Sequence, residues 1–244
     1  MKRLILSISL LLVSTAGVLA QTSAGTMSIS GSGNYKEDRL KETSETEVYY
    51  QKSKYISKNL QISSSVGYFI MDNIEVGITG TASQYRSINH FERQDTSLIF
   101  NSYNSLGKTI TNNYAVGPFV RKYFFLTERL ALTATSNLIY AFSSARTTLE
   151  YTTSRGEEYE NSSEGPKSNW LTVDLSAGVR YFASSKFSVN AGLGGIYYNR
   201  SSRKENKTTN EGISYVRKDM GNNGGISFSP QYINLGLSYY FGGN

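Results

Sequence analysis

The chain ends on Gln231–Asn244, "QYINLGLSYYFGGN". Every second residue from Ile233 is large and apolar: Ile233, Leu235, Leu237, Tyr239, Phe241. Between them stand Asn234, Gly236, Ser238 and Tyr240. A period of two marks a β-strand with two unlike faces. A terminal segment frays unless something ties it down. This strand is therefore expected to pair with another, and its apolar side needs an apolar medium.

The same pattern recurs upstream. Strands are expected near 25–36, 59–71, 74–87, 113–125, 130–144, 170–182, 187–200 and 231–241, with no amphipathic helix between them. In the sixth, Leu171, Val173, Leu175, Ala177, Val179 and Tyr181 alternate with Thr172, Asp174, Ser176, Gly178 and Arg180. The connections alternate in length. Asp72-Asn73, 126–129 and 184–186 are hairpin-sized, whereas 37–58, 88–112, 145–169 and 201–230 are long and rich in Ser, Thr, Asn, Lys and Glu. The second long link, with "DTSLIFNSY", either extends a hairpin or adds two strands. Short turns at one end and long polar loops at the other describe an all-β, antiparallel, up-and-down meander of about eight strands. Closure into a barrel removes both edges.

The polar face decides which medium the apolar face meets. A soluble barrel carries Lys and Glu on its outside; here the strand polar residues are Ser, Thr, Gly, Asn and Gln, and the charges crowd the loops. A transmembrane barrel has that arrangement, with apolar residues outward and polar residues inward. Leu132, Val173 and Leu237 are accordingly expected to point away from the axis. The few strand charges, Glu75, Arg121, Asp174 and Arg180, match in sign, and a narrow lumen requires them to pair because an unpaired charge there costs several kcal/mol. Phe119, Ile139 and Tyr198 are expected to narrow the bore further. Tyr68, Phe69, Tyr123, Phe124, Phe125, Tyr181, Phe182, Tyr239, Tyr240 and Phe241 fall at the short-turn ends and are expected to form an aromatic ring at one lipid–water boundary.

The N-terminus reads as an export signal. Lys2 and Arg3 precede an apolar run from Leu4 to Val13, and Val18 and Ala20 supply small residues for cleavage. The expected organisation is a signal peptide over 1–20 and one barrel domain over 21–244. The formal charge of +6 falls to +4 without Lys2 and Arg3, which gives no reason to expect nucleic acid. The absence of cysteine excludes disulfides and thiolate chemistry.

"VGYFIMDNIEVGI", "VGPFVRKYFFLTERLAL", "AGVRYFASSKFSVNAGLGG" and "LGLSYYF" together resemble the small eight-stranded outer-membrane β-barrels of Gram-negative bacteria, the OmpA/OmpX/OmpW-like group. The resemblance spans the whole mature chain. It implies short turns in the periplasm and long loops outside the cell. It also implies that Leu235, Leu237, Tyr239 and Phe241 form a C-terminal signal read by the barrel-assembly machinery, although Gly242-Gly243-Asn244 follow where many relatives stop. It implies no single activity.

Chemistry is sparse. One histidine, His90, excludes multi-histidine metal sites, and no cofactor is expected. "GLGG" at Gly192–Gly195 lacks a following helix and reads as room inside the barrel rather than a phosphate cradle. His90, near Glu92 and Asp95, is the one candidate base for a lipid A-modifying hydrolase; a surface loop histidine is the preferred reading, and the chain is not expected to be an enzyme. Arg200, Arg203, Lys204, Lys207, Arg217 and Lys218 in the fourth long link are candidate contacts for lipopolysaccharide phosphates or other anions, interspersed with Glu205, Glu211 and Asp219. Eight strands leave a bore that side chains can fill. The expectation is a structural or surface-interaction protein, monomeric, among outer-membrane lipids. A narrow channel for small or hydrophobic solutes is the alternative.

Overall fold

The structure, a computed structural model, describes residues 22–45, 49–95, 102–152, 156–208, 214–227 and 235–242. It is a closed antiparallel barrel. The strands are β1 (Thr26–Glu45), β2 (Tyr49–Met71), β3 (Ile74–Asp95), β4 (Ser102–Phe125), β5 (Leu130–Thr152), β6 (Glu158–Glu164), β7 (Lys167–Phe182), β8 (Phe187–Thr208), β9 (Ser214–Ser227) and β10 (Leu235–Gly242). Neighbours pair in chain order from β1 to β5; β7 then follows β5, and β8 follows β7. β10 closes the ring between β8 and β1, from Thr26↔Gly242 to Ser32↔Gly236 on one side and Tyr239↔Phe187 on the other. The terminal strand is thus tied down on both edges, which closes the ring at the short-turn end.

Eight strands make the ring, and two shorter pieces extend the sheet at its distal end. β6 pairs with the far half of β5, and β9 with the far half of β8. The long links expected to be polar loops are largely strand: β2, β3 and β4 run 23, 22 and 24 residues. The second link extends its hairpin, with β3 reaching Asp95 and β4 beginning at Ser102. The alternation fades there because both faces of a projecting hairpin meet water, so neither needs apolar residues. The signal peptide expected over 1–20 and the strand residues expected at 231–234 lie outside the described residues.

The short turns are built alike. Leu126 N–H donates to the Leu130 carbonyl and Ala183 N–H to that of Phe187, at 2.8 and 2.9 Å. Thr127 and Ser184 hydroxyls accept the N–H groups that follow them. Asn73 closes the β2–β3 hairpin at φ 63°, a region asparagine tolerates better than most residues.

Sidedness follows the pleat. Leu132, Val173 and Leu237 are 39, 49 and 62% exposed and lie on the outer wall, whereas Ala131, Ala141 and Phe69 are fully buried inside. Two irregularities re-aim the chain. At Gly165-Pro166 one extra residue separates the pairs Arg146↔Glu164 and Ser143↔Ser168, a bulge that accommodates the proline's missing N–H. At Leu193 the β7 register jumps from Ala177↔Gly194 to Gly178↔Gly192, with Gly194 at φ 118°. This second bulge reverses the alternation, so Tyr198, expected in the bore, stands outside at 53% exposure. Phe119 and Ile139 keep the inward side.

Candidate functional site: the lumen network and the outer wall

The expected aromatic ring divides in two, because adjacent residues of a strand must face opposite ways. Tyr68, Phe124 and Tyr239 of that set are exposed on the outer wall, where Phe187, not among the expected residues, joins them. Phe69, Tyr123, Phe182 and Tyr240 turn inward and, with Phe125 against them, form a packed plug at the short-turn end. Ring centroids lie 5.4 Å apart for Phe69–Tyr123 and 5.5 Å for Phe182–Tyr240. The inner wall is therefore apolar at this level, contrary to a bore lined by hydroxyls, amides and ions alone.

A charged network sits on the plug. Glu75 is fully buried on β3. It accepts hydrogen bonds from Ser28 and Tyr123 hydroxyls and pairs with Arg121 Nη1 at 3.0 Å. Arg121 Nε also donates to Thr135 Oγ1 at 3.0 Å. Arg180 Nη1 donates to Tyr123 Oη at 2.7 Å and to Tyr240 Oη. Its guanidinium stands 5.2 and 5.9 Å from the centroids of those two rings. Tyr123 thus links the carboxylate to the second arginine. Gly67 makes room: a Cβ there would meet Glu75 Oε1 at 2.0 Å.

Three of the four expected lumen charges are brought together in this way. Asp174 is not; it accepts from Asn137 Nδ2 at 2.7 Å, an amide in place of the expected cation. Above the network the bore is hydroxyl- and amide-rich, with Ser30–Ser238 at 2.7 Å, Ser63–Thr81 at 2.9 Å and Asn190–Ser238 at 3.1 Å. Two small open cavities of about 250 and 130 Å³ lie among these groups. Residue types make the polar lumen legible. They do not single out Tyr123 and Tyr240 as its linking groups, since both fall among the short-turn aromatics of the expected outer ring.

The outer wall carries the remaining candidates. Leu235, Leu237 and Tyr239 face outward along β10, and Tyr239 and Phe241 rings stack at 6.0 Å. His90, expected in a loop, stands in β3 on the outer wall between Lys54 and Leu106, and among the described residues its side chain makes no hydrogen bond. The fourth-link cations are spread along β8 and β9. Arg203 lies opposite Asp219, Lys204 opposite Lys218, and Arg217 pairs with Asp219 at 3.0 Å. Arg200 is exposed beside Leu171, while the side chain of Lys207 lies outside the described residues.

A second aromatic set marks the far edge of the apolar wall: Tyr35, Tyr114, Tyr140, Phe142 and Tyr198, all exposed, with Tyr114 and Phe142 stacked at 5.3 Å. Along β4 ten residues separate Phe124 from Tyr114. At about 3.3 Å per residue and a tilt of about 40°, that is a rise of about 25 Å.

No protein-family model matches the chain, and no relative is found among curated proteins. Among solved structures the chain is similar to the outer membrane protein OprG from Pseudomonas aeruginosa, at 13% identity over 92% of this chain and 99% of that one, with a TM-score of 0.40. It is also similar to a major outer membrane protein from Thermus thermophilus, at 12% identity over 89% and 100% of the two chains, with a TM-score of 0.37.

Proposed function

We propose that the protein is an integral barrel of a bacterial outer membrane, exported by its N-terminal signal, with a structural or surface-interaction role and no catalysis. One observation carries this: exposed Leu, Ile, Val and Phe residues fill the outer wall between two aromatic sets about 25 Å apart. In water such a surface would be far larger than the apolar patches monomers leave bare. In lipid it is the solvated face, and closure by β10 pairs strand edges that would otherwise be bare there. The β-hairpins beyond the Tyr114 level then project from the membrane as a polar rim, with the short turns on the opposite, periplasmic side. The β10 face of Leu235, Leu237, Tyr239 and Phe241 is the signal offered to the assembly machinery.

The lumen supports a structural role over a channel. Phe69, Tyr123, Phe182 and Tyr240 occlude the short-turn end, and Glu75, Arg121 and Arg180 fill the level above. Refolded protein is expected to migrate faster on a detergent gel before boiling than after, and to give no steady conductance in a planar bilayer. A single migration position would count against a closed barrel, and a stable open level would replace the structural reading with the channel.

A further inference from the structure

We propose that the outer wall next to Tyr114 and Phe142 carries a seat for a phosphorylated glycolipid headgroup, which rests on the membrane placement above. Lys58, Arg86, Ile110 and Arg146 are successive cross-strand partners on β2, β3, β4 and β5. All lie on the outward side of their strands, four residues beyond the row Ile62, Ala82, Tyr114 and Phe142, and Ile56, Ile88 and Leu106 continue the same face farther out. Lys58 and Arg86 are directly opposite one another, an arrangement that destabilises a sheet unless an anion sits between. Lys58 has Glu37 at 3.6 Å, but Arg86, Arg146 and Lys167 enter no ion pair among the described residues. Arg86 Nε is shielded from solvent with no hydrogen-bond partner.

Beside this row lies a groove of about 460 Å³, lined by Gln84, Ile110, Asn112, Ser144, Arg146, Glu164 and Lys167 among others. The Gly165-Pro166 bulge creates it. Without the extra residue, Glu164 and Lys167 would face opposite sides of the wall; with it, both face outward beside Arg146. Arg86, Arg146 and Lys167 against Glu164 leave two positive charges in excess.

The chemistry is layered along the strands. Arg86 and Arg146, with Ile110 between them, stand four residues beyond the level of the Tyr114–Phe142 pair. Next comes a polar shelf of Gln84, Asn112 and Ser144, where Gln84 Nε2 donates to Asn112 Oδ1 at 3.0 Å. Below it is the Tyr114–Phe142 stack. Phosphate on the guanidinium and ammonium groups, sugar hydroxyls on the shelf and on Glu164, and acyl chains on the aromatic pair match that order. A bare phosphate uses only the first layer, and Glu164 opposes it.

The test uses the full chain refolded in detergent, with binding read by native mass spectrometry. The probes are bisphosphorylated lipid A, its dephosphorylated form, phosphatidylglycerol and inorganic phosphate. Bisphosphorylated lipid A is expected to bind about tenfold or more tightly than each of the others. Arg86→Gln/Arg146→Gln is expected to abolish that preference, and Lys204→Gln/Lys218→Gln to keep it. Equal binding of the phosphorylated and dephosphorylated forms, or an undiminished preference in Arg86→Gln/Arg146→Gln, overturns the seat. Equal binding of phosphatidylglycerol, or of inorganic phosphate, overturns its glycolipid specificity. Each sample is checked for heat-dependent migration, and Arg146→Gln alone replaces the double variant if that one does not fold. Wild type that inserts into vesicles yet shows no preference refutes the seat alone; wild type that does not insert refutes the membrane placement.

Discussion

Glu75→Gln is expected to destabilise the barrel by about 3–5 kcal/mol, read as a lower denaturant midpoint for loss of the fast-migrating form. The side chain keeps its shape, but its charge is gone. Arg121 and Arg180 then share a buried level with no carboxylate, and the Ser28 and Tyr123 hydroxyls lose an ionic acceptor. Adding Arg121→Gln to the same chain should recover a large part of the loss, because one of the two uncompensated charges leaves with it. A midpoint for Glu75→Gln within error of wild type would mean that the network is solvated and the lumen open at this level.

Ile78→Arg and Leu175→Arg form the second case. Both residues lie on the outer wall between the two aromatic sets and are 61 and 49% exposed. On a soluble protein, arginine at so exposed a site changes stability by about 0.5 kcal/mol or less. In the middle of a bilayer the expected cost is about 2–4 kcal/mol for each. The control is Leu126→Arg, an exposed apolar residue in a short turn beyond the band, expected to be close to neutral. Refolding into vesicles over a denaturant series separates these outcomes. Equal small effects at all three positions would show that the apolar wall faces water.

The barrel is legible in the sequence wherever one strand face meets an apolar medium and the other a polar lumen. Leu171 to Tyr181 is the clearest example, since its alternation matches the exposed and inward positions of β7. What the alternation does not reveal has three physical sources. Beyond Tyr114 both strand faces are largely polar, with only scattered apolar residues such as Ile88, Leu106 and Ile110, so the extended hairpins of β3 and β4 carry no period and read as loops. The bulge at Leu193 reverses the pleat within one residue, and "GLGG" gives no signal of which glycine takes the extra step; alternation alone puts Tyr198 on the wrong face for that reason. The seat around Arg86 and Arg146 depends on which residues lie opposite one another across β3, β4 and β5. Cross-strand register of that kind is set by turn geometry and bulges, not by any local run of residues. The lumen charges fall between these extremes. Their matched signs predict pairing, and Glu75 and Arg121 do pair, but Arg180 reaches the carboxylate only through Tyr123, and Asp174 meets an amide.

The central claim is that the apolar wall faces lipid, and the single tryptophan offers its most direct test. Trp170 is on the lumen side of β7, opposite the fully buried Ala141, while Val173 points outward. In vesicles of lipids brominated on their acyl chains, native Trp170 fluorescence should be weakly quenched. In Trp170→Phe/Val173→Trp, where the indole moves three positions and to the other face, quenching by the bromines should be strong and quenching by aqueous iodide weak. Strong lipid quenching of native Trp170, together with a relocated indole that only iodide reaches, would contradict the account.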